Sequence, residues 1–169
     1  MNITLNGFEP LLKKFVTAYL IVVTIGLSLG LYFVNHTTDM TPSGAVERFN
    51  GSQTAEDDEF TIPENYPKPL SELLITTHNH ILGFSFIFGS IGFIFYFNSR
   101  IKRFWKALLM IEPFVSIILS FGSIWLMRYI HPNFVYVTVI SSILLYLSFY
   151  AMITISLIDM WLKENETTL

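Results

Sequence analysis

The chain is predicted to be an all-α integral membrane protein: an up-down four-helix transmembrane bundle with one outer-side loop. Three observations carry that prediction. Of the 169 residues, 52% are hydrophobic and only 14% charged, whereas an ordinary soluble domain carries about 25% charged residues. Stretches free of Asp, Glu, Lys and Arg run over 15–38, 73–99 and 129–158, each as long as the about 20 residues a helix needs to cross the hydrocarbon core. A fourth span, ending before Arg128, results if Glu112 lies inside the membrane. Helices are forced because lipid satisfies no backbone polar group.

The same composition excludes other classes. There is no cysteine, hence no disulfide, thiolate zinc site or cysteine-held iron–sulfur cluster. A net charge of −3 leaves no general basic surface for nucleic acid. No nucleophile–base pair, P-loop or dinucleotide fingerprint is visible, which argues against a free-standing enzyme.

The helices are predicted near 13–35, 70–98, 104–129 and 134–162, with the outer loop over 36–69, all in one transmembrane domain spanning 1–169. Lys13 and Lys14 precede the first span as in a signal peptide. Its apolar run is too long for an h-region, and no small-x-small cleavage site follows in VNHTTDM, so the helix is read as retained. In the loop, Pro42 suits a first helical position, and Ala45, Val46 and Phe49 then share one side. A short helix lying on the outer surface follows. The next stretch, NGSQTAEDDEFTIPENYPKP, is acidic and proline-containing and reads as irregular. Asn50 with Ser52 fits a glycosylation sequon, meaningful only in a eukaryotic secretory membrane.

Lys and Arg set the orientation. All of the ten except Arg48, Lys68 and Arg128 lie in the N-terminal segment, the second connection or the C-terminal tail with Lys163. Both termini are therefore expected in the cytoplasm, in a bacterial inner membrane. Small residues should set how the helices meet. Gly26 and Gly30 stand in G-x-x-x-G spacing. His78, Ser85, Gly89 and Gly92 share a face of the second span. Glu112, Ser116, Ser120 and Ser123 share one of the third, and Ser141, Ser148, Met152 and Asp159 one of the fourth. These faces are expected to meet.

Two sets of residues are candidates for chemistry. His36, His78, His80 and His131 all map to the outer end, where imidazoles from three regions would hold a b-type haem or a divalent metal. His78 is the inward choice and first ligand, with His36, His80 or His131 as second. Arg128 would hold a haem propionate or pair with Asp39 or Glu72. The structural alternative is four interfacial histidines wetted by headgroups. Glu112 is the second candidate. A carboxylate inside a span is expensive and points to function. With Ser116 beside the break expected at Pro113, it would form a proton-handling or purely structural polar site. Asp159 reads as merely interfacial.

The segment TTHNHILGFSFIF resembles the His-x-His-x-x-Gly helices of several bacterial haem-associated membrane proteins, including relatives of the haem–copper oxidases. The whole chain resembles small four-span bacterial inner-membrane proteins with a TPSG…RFNGS loop, a T-H-x-H helix and an E-P-F helix. That resemblance implies that Pro42, Gly44, Gly51, His78, His80 and Pro113 hold characteristic positions, and it transfers no activity. The functional expectation is an accessory subunit of a respiratory or other membrane complex, redox-active or non-enzymatic. Its partners would be the lipid bilayer and other membrane subunits.

Overall fold

The structure is a computed structural model that describes residues 3–52 and 65–162. The irregular stretch expected in the outer loop falls largely on 53–64, and Lys163 in the tail; both lie outside the described residues. Helices α1 (Pro10–Thr38), α3 (Leu70–Tyr96), α4 (Arg103–Tyr129) and α5 (Val135–Trp161) are the four spans, and α2 (Pro42–Asn50) is the short helix between the first two. All four long helices are apolar and long enough to cross a membrane. No strand occurs among the described residues.

The spans alternate in direction because their connections are short or folded back. The α4–α5 turn is a single 3-10 turn, Pro132–Phe134. There the His131 ring accepts the N–H of Asn133 at 3.1 Å. The main core runs through the lower and middle bundle: Val16, Leu20 and Leu27 of α1, Phe88, Ile91 and Phe95 of α3, Ile117 of α4, and Leu145, Phe149 and Met152 of α5. The sets of α1, α3 and α5 recur at three, four or seven residues, so one stripe of each of these helices turns inward. Leu5 plugs this core from the N-terminal end. It is fully buried, and its N–H donates to the Phe97 carbonyl at 3.0 Å.

The other end is closed by α2, which lies where the sequence predicts a surface helix. Ala45, Val46 and Phe49 pack on Leu73, Ile124, Met127 and Val135. The TPSG…RFNGS segment owes its residues to this closure. The Thr41 hydroxyl caps α2 by accepting the Gly44 N–H at 3.0 Å. A Cβ at Gly44 would stand 2.2 Å from the Thr38 carbonyl oxygen. Gly51 has φ +90°, and a Cβ there would lie 2.7 Å from Pro67. The Asn50 amide donates to the Met127 carbonyl at 3.2 Å, so this sequon asparagine is a structural tie rather than an open acceptor. Ser52 donates to Glu47 at 2.6 Å. Hydrogen bonds from Ser52 and Asn65 hold the Glu47 carboxyl below its ordinary pKa, against a smaller opposing effect of desolvation.

The helix glycines behave differently. Among the described residues, and apart from the glycine's own helix backbone, nothing lies within 4 Å of where a Cβ would stand at Gly26, Gly83, Gly89 or Gly92, and at Gly30 only the Tyr146 hydroxyl does, at 3.8 Å. The expected meeting of the Gly26–Gly30 face with a glycine face of the second span does not occur. Instead α1 leans on α5, through Ser28 to Tyr150 at 2.8 Å and Trp161 to Thr17 at 2.9 Å. Gly44→Ala should therefore destabilise the protein by about 1–3 kcal/mol, because backbone must move. Gly26→Ala should be neutral or slightly stabilising. Unfolding in mixed detergent micelles, followed by helix content, checks the contrast; equal effects would contradict it.

Candidate functional site

Across the α4–α5 interface runs a seam of hydroxyls. The serine faces read from the sequence meet here: Ser116, Ser120 and Ser123 of α4, with Ser141 and Ser148 of α5, are all buried. Ser120 and Ser141 are 2.7 Å apart, oxygen to oxygen, and Ser123 and Thr138 likewise 2.7 Å. Glu112 ends the seam. One of its carboxylate oxygens accepts from Ser116. The other accepts from Ser148 at 2.5 Å, across the helix pair. Glu112 thus faces the interface, in line with the expectation that pairs it with Ser116. Both of these hydrogen-bond partners are neutral hydroxyls. α4 runs unbroken through Pro113, which is buried.

A carboxylate held by two donors on two helices is first a latch: each hydrogen bond keeps a polar group out of hydrocarbon. The break expected at Pro113 does not interrupt the helix.

The histidines are not gathered. His78, expected to face inward, is exposed, as are His36, His80 and His131. The helix turns the other histidine towards a neighbour. The His80 ring lies 5.0 Å from the Phe121 ring of α4, and its Nδ1 is 2.7 Å from the Thr76 carbonyl. The reason is packing. α3 meets α4 along the side that carries Thr77 and Phe84, where Trp125 donates to the Thr77 hydroxyl at 2.8 Å. His78 lies off that side. No group of three or more potential metal-ligating His, Asp or Glu residues occurs among the described residues. Arg128 makes no ion pair with Asp39 or Glu72. Its guanidinium lies 5.6 Å from the centre of the Tyr129 ring. A bis-histidine haem needs two imidazoles facing each other across a flat space. All four are exposed; among the described residues His36 and His78 have no hydrogen-bond partner and His80 and His131 are tied to local backbone, so they do not fit that group, and no step through a haem follows.

One polar centre escapes the sequence reading. Asp159, expected at the interface with water, is only 2% exposed. It accepts the Ser99 N–H and the Ser99 hydroxyl, each at 2.8 Å, and pairs with Arg100 at 3.3 Å. Asn98, also buried, accepts the N–H groups of Arg100 and Ile101 at 2.9 and 3.1 Å. Together they fasten the α3–α4 connection to the end of α5. Asn98-Ser99-Arg100 following an apolar helix was the available signal. A turn that ends in exposed backbone needs acceptors, and Asp159 shares the seam face of α5.

Glu112→Gln retains an acceptor and a hydrogen-bonding partner for both serines and should leave stability nearly unchanged. Glu112→Leu should cost about 1 kcal/mol, the scale of such bonds in membranes. Reversible unfolding in mixed micelles measures both. Equal tolerance of Gln and Leu would show that the carboxylate does not hold the helix pair.

The chain matches a family described as a transmembrane helical domain (Aq_1264_TM) over residues 39–167. No curated protein and no solved structure matches it. The match takes in α2 to α5, with the α2 closure and the hydroxyl seam, and begins one residue after α1 ends. On that match, which covers most of the sequence, the chain belongs to the transmembrane helical domain family.

Proposed function

We propose that the chain is a non-enzymatic accessory subunit of a larger complex in a bacterial inner membrane. One observation carries this reading: α1 and α3 leave an open groove of about 540 Å³ lined by Phe15, Tyr19, Ser85, Phe86, Gly89 and Phe93, among others. Exposed phenylalanines alone say nothing, since lipid covers them. Glycines do. In hydrocarbon a small residue contributes by letting another backbone approach; among the described residues no neighbouring element comes within 4 Å of where a Cβ would stand at Gly89, which lines the groove, or at Gly26, on the same face of α1 as Phe15 and Tyr19. A transmembrane helix of another subunit fits such a face; an acyl chain makes no use of it. α1, the helix outside the family match, would then serve to frame the partner's seat.

A photoreactive phenylalanine in place of Phe86 or Phe93, which line the groove, activated in native membranes, tests the reading. Both positions should capture the same second membrane protein, which should also co-purify with the unmodified chain. The lipid-facing Ile140 should not capture it. Capture of a second copy alone would replace the accessory role with a homo-oligomer, and adducts to lipid alone would overturn it.

We further infer that both termini and the α3–α4 connection are cytoplasmic, supported by the Lys and Arg distribution. Single cysteines in this cysteine-free chain check it. In intact cells a cysteine at Tyr66 or Asn133 should react with a membrane-impermeant maleimide, and one at Lys102 should react only after lysis. The opposite pattern would invert the topology.

A further inference from the structure

Between α2 and the start of α3 lies a small cleft of about 140 Å³, lined by Arg48, Phe49, Lys68, Glu72, Leu73 and Thr76. It is separate from the α1–α3 groove, and the accessory reading makes no use of it. Its floor is apolar, with Leu73 buried and Phe49 half-buried. Its rim is charged. Lys68 and Glu72 satisfy each other at 2.8 Å. Arg48 is different. It is half-buried, its guanidinium lies 5.0 Å from the centre of the Phe33 ring, and among the described residues it has no carboxylate partner. Burial lowers its pKa from the usual arginine value, with the Glu72 charge acting the other way; arginine stays cationic nonetheless.

Among the described residues, two cations and one carboxylate line this cleft, one positive charge in excess. A partly desolvated guanidinium without an anion is unfavourable. Its planar fork matches two oxygens of a phosphate. Depth supplies the second argument. Phe33 sits in the last apolar turns of α1 and Leu73 in the first turn of α3, while the exposed Tyr66 and Tyr129 belong to the same end of the bundle. Aromatic residues of this kind mark the headgroup level, so the cleft opens where lipid phosphodiesters lie.

The geometry points to a phospholipid headgroup site, in which Arg48 holds the phosphodiester, Lys68 supports it from the rim, and the acyl chains descend past Phe33. The contact is electrostatic and bidentate at Arg48, and apolar below.

Native mass spectrometry of the full chain, with phosphatidylglycerol or phosphatidylethanolamine titrated into mild detergent, tests this. One lipid should bind more tightly than the rest. Arg48→Gln should weaken that step about tenfold or more, and Arg48→Lys less. Lys68→Met, at the rim, should weaken it by about fivefold. Excess inorganic phosphate should leave the lipid in place. Displacement by phosphate would mean a free-anion site and would overturn the lipid assignment. Unchanged binding in Arg48→Gln with wild-type helix content would overturn the site itself. If Arg48→Gln loses its helix content, Arg48→Lys and Lys68→Met decide, and wild-type affinity in both overturns the proposal.

Discussion

The hydroxyl seam between α4 and α5 is the interaction on which the rest of the bundle rests. In a bilayer, lipid tails are as apolar as leucine, so burying leucine gives two helices no reason to associate. Hydrogen bonds and close packing must hold them. Ser120 with Ser141, Ser123 with Thr138, and Glu112 with Ser148 are such bonds, spaced along the length of the pair. Small side chains at these positions bring the two helices close enough for the bonds to form. The remaining helices are then arranged around a pair whose register is already set.

Both ends of that pair are closed by polar structure of a different kind. At one end Asp159 and Asn98 collect the backbone N–H groups of the α3–α4 connection. At the other, Asn50 ties α2 to the Met127 carbonyl of α4, Ala45, Val46 and Phe49 pack on α3, α4 and α5, and the Thr41 cap and the Ser52–Glu47 bond close the two ends of α2 itself. These are sites where chain leaves the helices and exposed donors need acceptors. They fix α3, α4, α5 and α2 relative to one another. α1 shares little of this. It joins the closure at Thr38, against Thr41 and Gly44, and is otherwise held by a buried stripe and two side-chain hydrogen bonds to α5, leaving a groove against α3. The family match covers the clamped elements and omits α1. The proposed partner site lies at the junction between the clamped part and the appended helix, and the proposed lipid site lies on the clasp itself.

Four spans, their ends to within a few residues, the surface helix at Pro42 and the serine faces of α4 and α5 were all legible in the sequence. Each follows from a local rule: length of uncharged run, proline at a first helical turn, or spacing near 3.6. The candidate site was legible only in part. Glu112 was found with its partner Ser116, because both lie on one helix one turn apart. Ser148, its partner across the interface, shared a face with Ser141 but could not be assigned to Glu112 before the helices were set side by side. The inward side of α3 was misjudged. His78 shares its face with Gly89 and Gly92, but α4 packs on the side that carries Thr77 and Phe84.

The sequence by itself determined the solvent, the number of helices and the polar stripe each one carries, because these depend on composition and on helix geometry alone. Tertiary structure decided which stripes met. Periodicity gives every helix a face but no neighbour. Choosing one requires that shape and hydrogen bonds be satisfied on both sides at once. Serine met serine across α4 and α5, where donors and acceptors pair. Among the described residues, Gly26 of α1 and Gly89 of α3 stay exposed, with no element packed against them. Asp159 shows the same rule in reverse. Counted along the chain it lies near the membrane boundary, yet the fold buries it, since the backbone donors it must accept come from a connection sixty residues earlier.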